Sequence, residues 1–454
     1  MRASGQAAII SSSSAAGLGK SICDTINKTD HARLEHIEVL PSLSGQPITA
    51  QDIFISSNCA LDANAAGVVI FTSGTTGPPK AAVMRRSYVS EDARSVADHF
   101  ELTANDIILH VLPVHHATGI GINFFPFLGA GACVEFKSGS FDPSWTWERW
   151  RKGRLTFFSG VPTIYMRMMR YYEQNLAKLP EEDRSSYEEG ARQFRGMLCG
   201  TSALPRPVQQ FWTKIRGGNI IQTRYGATEF GAPLRVPLDP GDTPDGSVGR
   251  LIPGVDLKLS EGEEGEVLVK SSFMFAKYLN DNAATAAAHD ENGYYKTGDI
   301  ARREGHYYFI VGRASQDIIK SGGYKISALD IEREALALPY IGEVVVVGVD
   351  DQEFGQRVGA VVTLREGQDQ YCLQENSTAG LIKPLTIAEF RRDLRGTLAN
   401  YKIPTLLRVL KGEIPKTSTG KVQKRFLGPR MFPSPGWELE PEVQAWRGRD
   451  DAKL

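Results

Sequence analysis

From Val68 to Thr72 an apolar, β-branched run reads as a buried strand. It empties into Ser73-Gly74-Thr75-Thr76-Gly77 and closes on Pro78-Pro79-Lys80. Gly74 and Gly77 let the backbone bend and come close to a ligand. Thr72, Ser73, Thr75 and Thr76 supply hydroxyl and N–H donors and Lys80 adds a cation, a concave array suited to a polyphosphate. A flexible Ser/Thr/Gly linker would not end in Pro-Pro-Lys directly after a buried strand. Gly19-Lys20-Ser21 is not a second loop of this kind, because the first glycine of the Walker pattern would fall on Ser14.

Composition narrows the class. The 454 residues carry 52 Lys+Arg against 53 Asp+Glu, a formal net charge of −1. That balance lacks the basic excess of nucleic-acid or membrane-surface proteins. The 41% hydrophobic and 23% charged residues are ordinary for a globular chain, and the length suggests roughly three domains. Five Cys without paired spacing exclude a disulfide scaffold and a Cys-rich zinc module. No apolar run approaches the roughly 20 residues of a membrane span. The Ser/Ala-rich start lacks a signal-peptide core, so a soluble intracellular protein is expected.

The N-terminal stretch Gln6–Asn27 reads as a strand, a loop and an amphipathic helix. Strand-like and helix-like segments alternate from Gly67 to Val111: Val68–Thr72, a helix over Tyr88–Phe100, then Ile107–Leu112. This alternation suggests a parallel α/β sheet. Phe157–Ser159, Met197–Cys199 and Ile220–Gln222 read as further strands, and the charged stretch Gln174–Arg192 as a solvated helix. From Gly246 to Phe309 short strands with Gly turns predict a β-rich, barrel-like subdomain. A new unit begins after Gly312-Arg313, with helices over Leu329–Leu338 and Ile387–Leu398 and strands at Glu343–Val349 and Gly359–Leu364.

The loop Phe71–Lys80 resembles the phosphate-binding signature of the adenylate-forming enzymes, the superfamily of acyl-CoA synthetases, adenylation domains and luciferases. Other segments match the same family in order. In LPVHHATGI, the resemblance places His116 near the reacting carboxylate and adenylate. Gly200-Thr201-Ser202 resembles the segment that stacks adenine and lines the acyl pocket. In RYGATE, Tyr225 and Gly226 would meet the base, Thr228 a phosphate, and Glu229 would hold Mg²⁺. Asp299 would accept the ribose hydroxyls, with Arg313 in the ribose and hinge signature. Lys421 matches the lysine that reaches the α-phosphate and carboxylate. Ser321, Gly322 and Gly323 match the loop facing the pantetheine of CoA, and the hinge residue lies among Ser315, Gln316 and Asp317. The implied fold is α/β: a large N-terminal domain of parallel α/β layers plus a β-rich subdomain over residues 1–311, a hinge at 312–317, a small mobile α+β domain over 318–428, and a polar tail at 429–454.

The implied chemistry is a two-step acid–thiol ligation using ATP, Mg²⁺ and CoA. A carboxylate attacks the α-phosphorus and expels pyrophosphate, and a thiol then attacks the acyl-adenylate. Lys421, His116, Thr228 and Glu229 would serve the catalytic step. Arg224, before the Tyr-Gly pair, suits a second carboxylate, since guanidinium meets carboxylate bidentately. The surrounding stretches resemble the malonyl-CoA synthetase branch, and malonate or another short dicarboxylic or specialised acid is the expected substrate. An internal acid paired with Arg224 is the competing structural reading. Thr118 stands where malonate-using relatives carry a second His, and Ala227 where Met is common, so the pocket is altered or enlarged.

The family reaches its phosphate loop later than Thr72, so a shortened first subdomain, with an exposed edge and apolar face, is expected. An incomplete gene model, a truncated non-catalytic paralogue and a variant that dimerises across the gap are the alternatives. In function, an adenylating enzyme that loads a carrier protein instead of CoA is the alternative to the acid–CoA ligase. The end Ala452-Lys453-Leu454 is a variant of the Ser-Lys-Leu address and points to a peroxisomal import receptor, with the cytoplasm as the other location.

Overall fold

The computed structural model describes residues 7–29, 34–39, 62–72, 79–365, 385–416 and 422–446. The phosphate-loop residues Ser73, Gly74, Thr75, Thr76 and Gly77, together with Lys421 and Ala452-Lys453-Leu454, lie outside them. Two compact units divide at Leu61 and Asp62.

In the first unit, β1 (Ala7–Ser12), α1 (Ala16–Thr29) and β2 (Leu34–Val39) form a strand–helix–strand unit with its strands parallel. Asn27 closes it by accepting the Leu34 N–H at 2.7 Å and donating to the Leu34 carbonyl at 3.0 Å.

The second unit opens with β3 (Ala66–Thr72) and β4 (Lys80–Arg85). These pair antiparallel, so the phosphate-loop strand stands outside the parallel sheet that the alternation suggested. The link from Thr72 to Lys80 is too short for a parallel crossover, which takes roughly a dozen residues or more. After a π-helical turn (Tyr88–Asp92) come α2 (Ala93–His99), β5 (Ile107–His110), a second π-helical turn (Thr118–Phe124), α3 (Phe125–Gly129) and β6 (Cys133–Phe136). Then follow α4 (Pro143–Arg151), β7 (Phe157–Gly160), α5 (Pro162–Gln174), α6 (Glu181–Arg192), β8 (Gly196–Cys199), α7 (Arg206–Ile215), β9 (Gln222–Ala227), β10 (Gly231–Arg235) and β11 (Arg250–Leu251). The sheet order is β11-β10-β9-β8-β7-β5-β6, parallel from β9 to β6.

Strand residues of this sheet alternate between two cores, as a parallel sheet covered on both faces requires. Leu109, Phe158 and Met197 face α4, α5 and α7 across Trp147, Trp150 and Trp212, and Trp147 stacks on Trp212 at 5.6 Å between centroids. Ile108, Phe157 and Leu198 face Val96, Phe100, Ile122 and Phe127 on the other side. Asp142 caps α4 by accepting the Trp145 N–H at 3.2 Å, with Pro143 at the first helical position. The charged helix α6 is solvated on one face only, since Tyr187 and Ala191 are buried.

The β-rich region is two open antiparallel sheets around one core rather than a closed barrel. One sheet is ordered β12 (Val255–Glu261), β13 (Glu264–Ser271), β15 (Tyr295–Glu304), β16 (Tyr307–Arg313). The other sets β14 (Phe275–Tyr278), which α8 (Asn282–Ala287) follows in the chain, beside β4 and β3. Ile70, Met84, Phe275 and Val267 share the core between them.

Next come β17 (Ile318–Ser321), β18 (Tyr324–Ser327), α9 (Ala328–Ala335), β19 (Ile341–Asp351), β20 (Gly355–Leu364), α10 (Ile387–Leu394) and β21 (Leu406–Leu410). A short helix (Lys424–Met431) and β22 (Val443–Ala445) complete the described chain. In β19, Val344 and Val346 enter one core and Val345, Val347 and Val349 the other. Thr386 and Glu389 form a reciprocal capping box at the start of α10. Among the described residues no helix is long and apolar enough to cross a membrane.

Candidate active site

The carboxyl ends of β8 and β9 carry the polar signature residues. β8 runs into Gly200, and Thr201 follows in the left-handed region at φ +75. A side chain held there costs about 1–3 kcal/mol and needs surroundings that impose it. On β9, Gly226 sits against β10, where a Cβ would lie 2.0 Å from the Gly231 carbonyl oxygen. Only glycine permits that approach, and it brings Thr228 and Glu229 round the β9–β10 turn.

Buried Tyr225 and Asp299 and half-buried Arg313 form one cluster. The Tyr225 hydroxyl donates to Asp299 Oδ2 at 2.8 Å, and Arg313 Nε donates to Asp299 Oδ1 at 2.8 Å. Asp299 and Arg313 are register partners on β15 and β16, so the sheet itself sets their spacing. Burial works against the Arg313 charge, but the hydrogen bonds and charge of Asp299 carry its pKa above the ordinary value. Tyr225 is pushed far up by burial and then by Asp299, so it stays a neutral donor.

A second cluster links the phosphate-loop lysine to the magnesium candidate. Tyr278, from β14, donates its hydroxyl to Glu229 Oε1 at 2.8 Å. Lys80 Nζ lies 4.9 Å from the centroid of the same ring. Thr72 and Lys80 are register partners at the ends of β3 and β4. Glu229 offers a single buried carboxylate, and no group of three or more metal-ligating side chains occurs among the described residues. One carboxylate completed by phosphate oxygens fits a hard cation such as Mg²⁺, which takes oxygen donors and keeps several of them from outside the protein.

Arg224 stands apart. It is buried, and among the described residues neither Nη1 nor Nη2 meets a hydrogen-bond partner. Burial pulls its pKa down to about 10, so it remains a cation at neutral pH. Its stem crosses Gly200, where a Cβ would lie 3.1 Å from Cγ and 3.2 Å from Cζ. The internal acid that the structural reading required belongs to another arginine. Arg235, the register partner of Arg224 on β10, takes Asp92 at 3.3 Å and the Ala232 and Ser95 carbonyls.

His116 accepts the Thr118 N–H on Nδ1 at 3.3 Å at the head of the second π-helical turn. Gly119 is required there, because a Cβ would lie 2.0 Å from the Pro113 carbonyl oxygen. Gly119→Ala is expected to destabilise the protein by about 2 kcal/mol or more, which urea denaturation would read.

Ser321, Gly322 and Gly323 form the β17–β18 turn, with Ser321 and Tyr324 in register and both glycines at positive φ. Gly322 and Gly323 are exposed and Ser321 is half-buried. Of the three hinge candidates, Asp317 is anchored: it accepts the Arg313 N–H at 3.0 Å and Lys424 Nζ at 2.5 Å. Lys424 also bonds Glu332 at 2.8 Å.

The family described as AMP-binding enzyme matches residues 3–279, and its C-terminal domain family matches residues 330–421. This chain belongs to the AMP-binding enzyme family. The chain is 37% identical to a malonate–CoA ligase of Arabidopsis thaliana over 376 residues, 79% of this chain and 60% of that protein. It is 36% identical to the mitochondrial malonate–CoA ligase ACSF3 of Homo sapiens over 405 residues, 82% of this chain and 66% of the relative. The chain therefore spans less than two thirds of either relative's length. The ATP-bound MatB of Rhodopseudomonas palustris shares the fold with a TM-score of 0.74 at 24% identity, over 93% of this chain and 79% of that one.

Within this AMP-binding fold the residues Tyr225, Asp299 and Arg313 meet, as do Lys80, Glu229 and the unforeseen Tyr278. Sequence reading missed Tyr278 because a lone aromatic on a short strand carries no motif. It also missed Asp92, which in sequence is one of several charged residues in the helical stretch Tyr88–Phe100.

Proposed function

We propose that this chain is an AMP-forming acid–CoA ligase acting on a short dicarboxylic acid, with malonate the first candidate. One observation carries the substrate class: a buried guanidinium, Arg224, with no internal partner among the described residues, beside the polar cluster of the β9 end. A buried unpaired cation is costly, and an anion from outside offsets that cost. Both malonate–CoA ligase relatives support the reading.

In the first step a carboxylate oxygen of the acid bonds to the α-phosphorus of ATP while the bond to pyrophosphate breaks. Asp299 would accept the ribose hydroxyls, held in place by Arg313 and Tyr225. Glu229 would hold Mg²⁺, which when bound neutralises charge on the phosphates. Lys80 and, by resemblance, Lys421 would place ammonium groups where negative charge develops. His116 would flank the reacting carboxylate. In the second step the thiol sulfur of CoA bonds to the acyl carbonyl, AMP leaves, and the thiol proton is lost.

ATP–pyrophosphate exchange with a panel of mono- and dicarboxylic acids tests this. Exchange driven by dicarboxylic acids, followed by thioester formation when CoA is added, is the expected result. Exchange with monocarboxylic acids alone would remove the dicarboxylate assignment, and thioester formation only on a carrier protein would remove CoA. Tyr278→Phe keeps the ring beneath Lys80 but removes the hydroxyl from Glu229. It is expected to weaken Mg-ATP binding about fivefold, read by calorimetric titration.

A further inference from the structure

Arg224 is one of a row of buried polar groups without partners. Ser159 on β7 is fully buried, and its Oγ has no hydrogen-bond partner among the described residues. The ladder that pairs Leu109 with Phe158 brings His110, the last residue of β5, level with Ser159. His110 is buried and stacks on Phe136 at 5.1 Å. Its Nε2 meets the Gly119 carbonyl at 3.0 Å, while Nδ1 meets nothing among the described residues. Asn123 lies about one turn beyond Gly119 in the same π-helical segment. It is fully buried, and neither its Oδ1 nor its Nδ2 has a partner among the described residues.

These groups share one side of the sheet. Ile108 and Phe157 belong to the core that also holds Leu198 and Ile122. Side chains alternate along a strand, so His110 and Ser159 project to that side. Leu198 is the register partner of both Ser159 and Gln222. Two residues on, Gly200 and Arg224 follow on the same side. Gly200 has no side chain to block the row, and the Arg224 stem crosses it. From β5 through β7 and β8 to β9, the sequence of side chains is imidazole, hydroxyl, none, guanidinium.

Unpartnered buried polar atoms are a small minority in native proteins, because each one opposes folding. Several at the carboxyl ends of adjacent parallel strands mark where such sheets bind ligands. The donor and acceptor pattern is specific. With Nε2 supplying its proton to the Gly119 carbonyl, His110 Nδ1 is a bare acceptor, and burial holds the ring neutral by lowering its pKa. An acceptor needs a donor from the ligand. Ser159 and Asn123 can answer the ligand's own lone pairs.

We propose that His110, Ser159 and Asn123 form a neutral hydroxyl-binding subsite beside Arg224, so that the acid this chain prefers is a short dicarboxylic acid carrying a hydroxyl group. The inference rests on the ligase reading above and narrows its substrate. The hydroxyl donates to His110 Nδ1 and accepts from Ser159 Oγ or Asn123 Nδ2, while the distal carboxylate pairs with Arg224.

The test compares malonate with hydroxymalonate, which differ by that one hydroxyl, in ATP–pyrophosphate exchange by the whole chain. Hydroxymalonate is expected to exceed malonate by at least about tenfold in kcat/KM, mostly through KM. Ser159→Ala, confirmed folded by its melting curve, is expected to shrink the ratio to about threefold or less. Equal or better use of malonate by the unmodified protein would overturn the subsite while leaving the ligase reading intact. A ratio that Ser159→Ala does not move would do the same. Exchange with neither acid would remove both.

Discussion

Arg224→Met is expected to do two opposite things. It should lower kcat/KM for dicarboxylic acids about a thousandfold in ATP–pyrophosphate exchange, and it should raise the melting temperature of the ligand-free protein. Truncating one partner of a buried, hydrogen-bonded charge pair costs about 2–5 kcal/mol, and about 4 kcal/mol is a thousandfold. The Arg224 guanidinium has no partner of its own among the described residues, so the whole of that cost falls on the complex. In the ligand-free protein the same fact reverses the sign. A buried charge lacking a partner opposes folding, and Met fills similar volume without one. Affinity for Mg-ATP should stay unchanged, because the nucleotide contacts proposed above fall on Tyr225, Asp299 and Arg313, which bond one another. A variant that loses activity and stability together would show that Arg224 holds the fold rather than the acid.

Asp92→Ala is expected to cost about 3–5 kcal/mol of stability, the usual result of stripping one member from a buried ion pair. Asp92 and Arg235 are 1% and 0% exposed, with Nη2 to Oδ1 at 3.3 Å. Burial pushes the Asp92 carboxyl up to about 6 even against the pull of Arg235. Removing it leaves Arg235 in a site that water does not reach. The double variant Asp92→Leu with Arg235→Met should recover most of the loss, since an apolar replacement of similar volume is often neutral or better. Chemical denaturation of both variants measures this. A single variant as stable as the parent would mean that the carbonyls of Ala232 and Ser95 already satisfy Arg235. The pair also bears on the site. Arg235 is level with Arg224 on the neighbouring strand, where its charge works against that of Arg224, and Asp92 is the acid paired with Arg235.

The sequence disclosed elements whose evidence is local. Val68–Thr72, Phe157–Ser159 and Met197–Cys199 are short apolar runs, and each is a strand. The unbroken apolar run over Val344–Val349 foretold a strand, and the structure sets it between two cores. Period reports which face a residue takes, not which strand lies beside it. Nothing local in Lys80–Arg85 announces that it pairs with Phe275–Tyr278, roughly two hundred residues later, yet that pairing brings Tyr278 to Lys80 and Glu229. Ile220–Gln222 was misplaced for a similar reason: the strand begins at Gln222, where the apolar run ends and the polar motif starts. Within the site, Tyr225, Asp299 and Arg313 were readable because the family motif names them. Ser159, His110 and Asn123 were not, since a buried serine or asparagine has no signature until its lack of a partner is visible.

The antiparallel pairing of β3 with β4 settles how a nucleotide can be gripped. In many triphosphate sites a strand leads into a helix, and the helix presents its partly positive amino end to the anion. Here a strand leads back alongside itself, with Thr72 opposite Lys80. Among the described residues the loop is followed by strand β4 rather than by a helix. The charge delivered at its end is the ammonium of Lys80, and charge on a half-exposed side chain is weakened by dissolved ions. Nucleotide capture of the proposed kind is therefore expected to weaken as dissolved salt rises.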